Sequence, residues 1–149
     1  NVEIVHAVKH MGKEYDADEK AMKLTANSMD AVSLYFSLRS VDLKSFRKDE
    51  NRALDMVLED TIRHLRYRFI THERVKGPKL GYFDTMKFAC TIGSSEEFSF
   101  TDGSEFLIWI TNDENKIPVM LASPVRVGEV RLYLRSYEGL HYPLSSKVK

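Results

Sequence analysis

Three short apolar runs separated by two turn signals organise the last third of the chain: FLIWIT (Phe106–Thr111), IPVML (Ile117–Leu121) and EVRLYLRSY (Glu129–Tyr137). The stretch NDEN cuts the first run from the second, and Pro124 to Gly128 cuts the second from the third. Runs of this length joined by turn residues predict an antiparallel meander, each strand pairing with the next. Upstream, Met86, Phe88, Cys90 and Ile92 alternate with Thr85, Lys87, Ala89 and Thr91, so Tyr82–Ile92 predicts a half-buried strand. Arg52–Glu73 has a helical composition. Yet Leu65, Tyr67 and Phe69 alternate with His64, Arg66 and Arg68, which is period two and favours strands at Ala53–Leu58 and Ile62–His72. Glu59-Asp60-Thr61 and then Gly77-Pro78 with Gly81 supply the turns.

The remaining segments are less regular. Val2–Val8 predicts a strand ending near Gly12, Glu14–Lys20 a loop or hairpin, and Met22–Leu24 a second short strand. Asn27 and Ser28 are good N-cap residues, and behind them Asp30–Arg39 places Ala31, Leu34, Tyr35 and Leu38 at helical spacing. Val41–Asp49 reads as an irregular connection, Glu97–Phe100 as a short strand and Asp102-Gly103 as a hairpin turn. The polar tail His141–Lys149 is expected to fray. The sum is a mainly β protein: about seven to nine antiparallel strands with one short helix. Such a sheet has edges to hide, and a meander curled into a barrel or half-barrel hides them. The helix would cover one opening.

Composition narrows the classes. At 149 residues and 43% hydrophobic, the chain fits one β domain over residues 1–149 with a proper core. Lys plus Arg and Asp plus Glu both number 22, which gives no reason to expect nucleic acid as a partner. No apolar run approaches the ~18 residues of a membrane-spanning helix. Cys90 stands alone, so no intramolecular disulfide forms.

The segments GYFDTMKFACTI and FLIWITNDENKIPVMLASPVRVGEVRLYLRSYEGL carry a resemblance. They are similar to a family of exported bacterial proteins catalogued as a domain of unknown function. In that family a Gly-x-Phe/Tyr strand precedes a W-x-[ST]-x-D turn, an I/L-P-V strand, a Gly-containing turn and a strand closing on S-Y-x-G. Here these are Gly81–Phe88, Trp109–Asp113, Ile117–Val119, Gly128 and Ser136–Gly139. Asp30, Ser33 and Phe36 resemble the family's D-x-x-S-x-Y-x-x-R helix, with the aromatic one place late. The resemblance covers most of the chain after Asn27 and implies a periplasmic or envelope-associated β protein. Family domains carry more strands at the N-terminus, so this chain is expected to be either truncated or divergent there. No activity and no catalytic residue come with the resemblance.

The residues themselves suggest little chemistry. Trp109 offers a stacking platform for a sugar or base, but its neighbours Leu107, Ile108 and Ile110 make a core anchor the better reading. Asn112, Asp113 and Asn115 crowd one turn. They are too few in carboxylates for calcium and better explained by bonds to turn amides. His6, His10, His64, His72 and His141 form no zinc spacing, and no nucleophile elbow or phosphate loop occurs. Neither a metal nor a cofactor is expected. Cys90 on an apolar strand face reads as a small hydrophobe, and nothing pairs Asp84 with Asp113 as acid and base. Arg66 and Arg68 share one strand face; Arg131, Tyr133, Arg135 and Tyr137 share another. On one concave surface they would form an Arg/Tyr wall for an anionic glycan or lipid head group. Alternation alone predicts a solvated outer face, and that plainer reading is preferred.

Two functions remain. The first is a non-catalytic envelope protein holding a lipid, glycan or other ligand in a β-barrel cavity; Phe106–Ile110, apolar on both strand faces, favours it. The alternative is a structural or assembly module acting through protein contacts, or self-association, at an open sheet edge. An enzyme has no positive support in these residues.

Overall fold

A computed structural model describes residues 2–6, 9–10, 13–14, 18–22, 28–58, 61–94, 105–125 and 127–149. Near the N-terminus, β1 (Val2–His6) pairs antiparallel with β4 (Asp18–Met22) around a nested pair, β2 (Lys9–His10) and β3 (Lys13–Glu14). Of the loop or hairpin expected at Glu14–Lys20, Glu14 ends β3 and Asp18–Lys20 lie in β4, while residues 15–17 lie outside the described residues. Then follow β5 (Ser28–Asp30), helix α1 (Ala31–Ser40) and a 3₁₀ turn at Leu43–Ser45. The large strands are β6 (Asn51–Leu58), β7 (Thr61–Gly77), β8 (Gly81–Ser94), β9 (Phe106–Thr111), β10 (Pro118–Pro124) and β11 (Glu129–Tyr133). A last strand, β12 (Lys147–Val148), pairs with β8. The expected elements at Glu59-Asp60, Glu97–Phe100 and Asp102-Gly103 lie outside the described residues, as do Gly12 and Asn27.

The protein is mainly β. Its principal sheet runs β11-β10-β9-β8-β7-β6-β5, and the meander β9-β10-β11 is antiparallel throughout. Gly128 at φ 89° closes the β10–β11 hairpin in a backbone region that favours glycine. The sheet is not closed: among the described residues β11 and β5 are its ends, so the expected barrel is not seen. Nor is every pairing antiparallel. β5 runs parallel to β6, because α1 carries the chain back across the sheet between them. The helix is capped by Asp30 rather than by Ser28; Ser33 donates its N–H and its hydroxyl to the Asp30 carboxylate at 2.9 and 2.6 Å. Of the expected apolar stripe, Leu38 packs on the core; Ala31, Leu34 and Tyr35 have side chains outside the description.

β7 is longer than the alternation suggests. Register shifts between Phe69 and Thr71, a bulge that moves later residues to the opposite face. Up to Phe69 the odd residues point one way; beyond it Val75 points the other, opposite Phe83. Both faces are consequently covered. On the helix face, Met56, Leu65, Tyr67, Phe69, Met86, Phe88 and Cys90 form a core under Leu38, Leu43 and Phe46. On the tail face, Val75, Phe83, Trp109, Val119 and Ala122 pack under Tyr137 and Leu144. Burying one such aromatic side chain stabilises the fold by about 2–3 kcal/mol. The face carrying Thr85 and Ala89 is thus not solvated as period two implied: both residues are buried.

The tail does not fray, because the turn after β9 grips it. Asp113, buried, accepts from Thr111 Oγ1 (2.9 Å), Asn115 N (3.0 Å), Ser146 N (3.2 Å) and Ser146 Oγ (2.6 Å). Asn115, fully buried, donates to the Tyr142 and Pro143 carbonyls and accepts from Tyr142 N. Asp113→Ala strands four donors, so it is expected to lower unfolding free energy by about 3 kcal/mol in urea titration. Asp84→Ala loses only the exposed pair with Arg74 and is expected to change it by about 0.5 kcal/mol or less.

Candidate functional site: an apolar cavity beneath the helix

Cross-strand register decides which candidate residues meet. Arg68, Ala89, Leu107, Ala122 and Arg131 stand directly opposite one another on successive strands. Thr71, Lys87, Trp109, Met120 and Tyr133 form the next row. Arg66, Arg68, Trp109, Arg131 and Tyr133 therefore share the tail face, but they are not brought together. Arg68 and Arg131 are four strand steps of ~4.8 Å apart, about 19 Å, with apolar residues between them. Arg68 pairs with Asp49 (3.2 Å) and Glu105 (3.0 Å), and Arg131 with Glu129 (2.5 Å). Arg135 follows the end of β11 and is exposed. No continuous Arg/Tyr wall results. Trp109 is a core anchor, 5% exposed, its indole N–H on Glu73 Oε2 at 2.9 Å and Lys87 Nζ 4.9 Å from its ring centroid.

The other face holds the cavity. Leu38 and Arg39 of α1, then Leu43 and Phe46, stand over Met56, Leu65, Tyr67, Phe88, Cys90 and Ile92 from the sheet. Phe106, Ile108, Ile110, Lys116 and Pro118 complete a space of about 250 Å³ whose lining is almost wholly apolar. Alternation builds it: Leu65 and Tyr67 in β7, Phe88 and Cys90 in β8, and Phe106, Ile108 and Ile110 in β9 all project to the helix face. Phe46 packs edge-on against Phe88 and Tyr67, with ring centroids 5.0 and 6.0 Å away. The Arg52 guanidinium lies 4.1 Å from the Phe46 ring and donates to Ser45 O at 2.8 Å. These contacts hold the roof beside the sheet.

Polar groups at the cavity are few. Burial pushes the Tyr67 phenol up, against the opposing pull of Arg52. Burial, reinforced by Glu105, pushes the Cys90 thiol up to about 12. Lys116 sits at φ 50° and reaches under the helix end, where Nζ donates to Arg39 O and Val41 O at 2.5 and 2.6 Å. This is a cation on the carbonyl end of a helix. An open groove elsewhere is lined by His72, Glu73, Arg74, Asp84, Thr85 and Asn112. Among the described residues no cluster of His, Cys, Asp and Glu could hold a metal ion. Asp84 and Asp113 do not converge: Asp84 faces Arg74, and Asp113 is enclosed by Thr111, Asn115 and Ser146.

The sequence marks the apolar face but not the cavity, since a filled core reads the same way. Lys116 gave no signal, because its partners Arg39 and Val41 lie some seventy-five positions away.

These features define an open, mostly antiparallel sheet covered on both faces, with an apolar chamber on one. The chain belongs to the family described as Protein of unknown function (DUF3108), whose model matches residues 4–135. The match takes in the strands before Asn27 and ends ahead of Ser136–Gly139 and the gripped tail. No curated protein and no solved structure matches the chain.

The raised thiol makes Cys90 a reporter for the chamber. Against a pKa of 9.0, a value of about 12 lowers the thiolate fraction roughly thousandfold near neutral pH. Native protein is expected to react with a disulfide reagent at pH 8 at least about a hundredfold more slowly than denaturant-unfolded protein, followed by thiol release.

Proposed function

We propose that this is a non-catalytic exported protein of the bacterial envelope that holds a lipid or other apolar ligand between its sheet, as a half-barrel, and α1. The observation that carries the reading is the chamber of about 250 Å³ with its apolar lining. It exceeds the ~150 Å³ at which an apolar protein cavity stays dry and takes up benzene, and approaches the ~300 Å³ where ligand pockets begin. The scarcity of polar lining argues for a lipid over a glycan, whose hydroxyls would need partners. Envelope location rests on the resemblance of the meander and is tested separately by fractionation of the expressing cell.

Ligand uptake is tested with the neutral fluorophore N-phenyl-1-naphthylamine. Saturable enhancement at one site per chain is expected. Ile108→Trp, which fills the chamber from β9, is expected to weaken binding at least about tenfold while the melting curve stays cooperative. Wild-type protein that gives no enhancement, or Ile108→Trp protein that binds equally well, would falsify the reading.

A second reading has its own observation. All five residues of β11 are exposed, and Val125, Val127, Val130, Leu132 and Tyr133 all lie in or beside this end strand. Leu134 donates to Val119 O, so odd-numbered residues of β11 turn their N–H and C=O away from β10. A second copy, paired antiparallel about Leu132, would set Glu129 against Arg135 and Arg131 against Tyr133. Sedimentation is expected to show a concentration-dependent dimer that Glu129→Arg breaks and Glu129→Arg with Arg135→Glu restores. A monomer at every concentration up to about 100 μM rules the pairing out.

A further inference from the structure

We propose that the chamber takes an anionic single-chain amphiphile, its tail among the apolar side chains and its carboxylate on Lys116. This rests on reading the chamber as a ligand site and adds the chemical class of the ligand.

Lys116 carries the argument. It is 8% exposed and lines the chamber. An ammonium has three donors, and two are used, on Arg39 O and Val41 O. No carboxylate among the described residues pairs with it. Among the described residues Lys116 is the one lysine or arginine that is buried, and it has no counter-charge there. The helix carbonyls offset part of its desolvation. A buried charge is stable when paired and fully hydrogen-bonded. A carboxylate entering the chamber supplies the missing charge and accepts the third donor. A neutral lipid accepts one bond at most, and a cationic amphiphile is repelled.

Size sets the tail. A cavity of ~150 Å³ holds the six carbons of benzene, so about 250 Å³ holds roughly ten heavy atoms. Tails of about eight to ten carbons fill the space, and longer ones emerge at its mouth.

The test titrates decanoate, decanol and decyltrimethylammonium into the full chain by calorimetry. Decanoate is expected to bind at least about tenfold tighter than decanol, the size of one charge-assisted hydrogen bond, with the cation weakest. Lys116→Met is expected to bring decanoate down to the decanol value, and Lys116→Arg to keep the preference. Lys116 also anchors the helix, so Lys116→Met protein can fail to fold. The wild-type comparison of decanoate with decanol then decides alone. Equal affinities for the two overturn the inference while leaving the apolar-ligand reading standing. So does a preference that survives in folded Lys116→Met protein. Binding of none of the three overturns both.

Discussion

One turn fastens both covers of the sheet. Between Thr111 and Ile117 the chain leaves β9 and enters β10, and its side chains reach in two directions. Asp113 and Asn115 hold the C-terminal segment down on one face through Ser146, Tyr142 and Pro143. Lys116 holds the end of α1 on the other, through Arg39 and Val41. Thr111 locks the turn itself, donating to Asp113 and accepting from Ile117 N at 2.8 Å. Thr111, Asp113, Asn115, Lys116 and Ser146 are all buried, where hydrogen bonds are strongest and a lost partner leaves an unsatisfied polar atom. A sheet exposed on both faces would be an aggregation hazard; here a single polar knot places a helix on one side and an irregular strap on the other.

Much of this fold was legible because period two survives wherever the ladder is regular. Leu65, Tyr67 and Phe69, then Met86, Phe88 and Cys90, announce one buried face. What alternation misses has particular causes. The bulge after Phe69 resets the phase, so the second half of β7 shows no pattern continuous with the first. The second cover is a polar segment with few apolar residues, Tyr137 and Leu144 among them, that packs by backbone and turn contacts. Composition therefore reads it as a loose end. The parallel pairing of β5 with β6 depends on a three-residue strand, too short to carry any period.

The candidate side chains fared differently for one reason: alternation assigns a face but not a distance. Arg66, Arg68, Trp109, Arg131 and Tyr133 do share a face, yet Ala89, Leu107 and Ala122 intervene and local carboxylates satisfy Arg68 and Arg131. The chamber lies on the opposite face and depends on the roof, where Phe46 and Arg52 come from the stretch Val41–Asp49 and the start of β6. An irregular connection gives no periodic signal even when it walls a cavity.

The chamber also bears on why such a fold keeps a space at all. Unfilled apolar volume destabilises by ~24 cal/mol per Å³, so about 250 Å³ corresponds to an upper bound of about 6 kcal/mol. That bound is comparable to the 5–15 kcal/mol by which whole domains are stable. An open mouth lets solvent in and reduces the figure, but a packed core would recover it by substituting larger side chains at Met56 or Ile108. A ligand recovers it too, stabilising the folded state by about 2.7 kcal/mol at a hundred times its dissociation constant. Retaining the space, with a buried ammonium set into its wall, is consistent with occupancy contributing to stability. On the proposed reading, the helix that roofs the chamber, held by that same ammonium, is the element whose seating a ligand would stabilise.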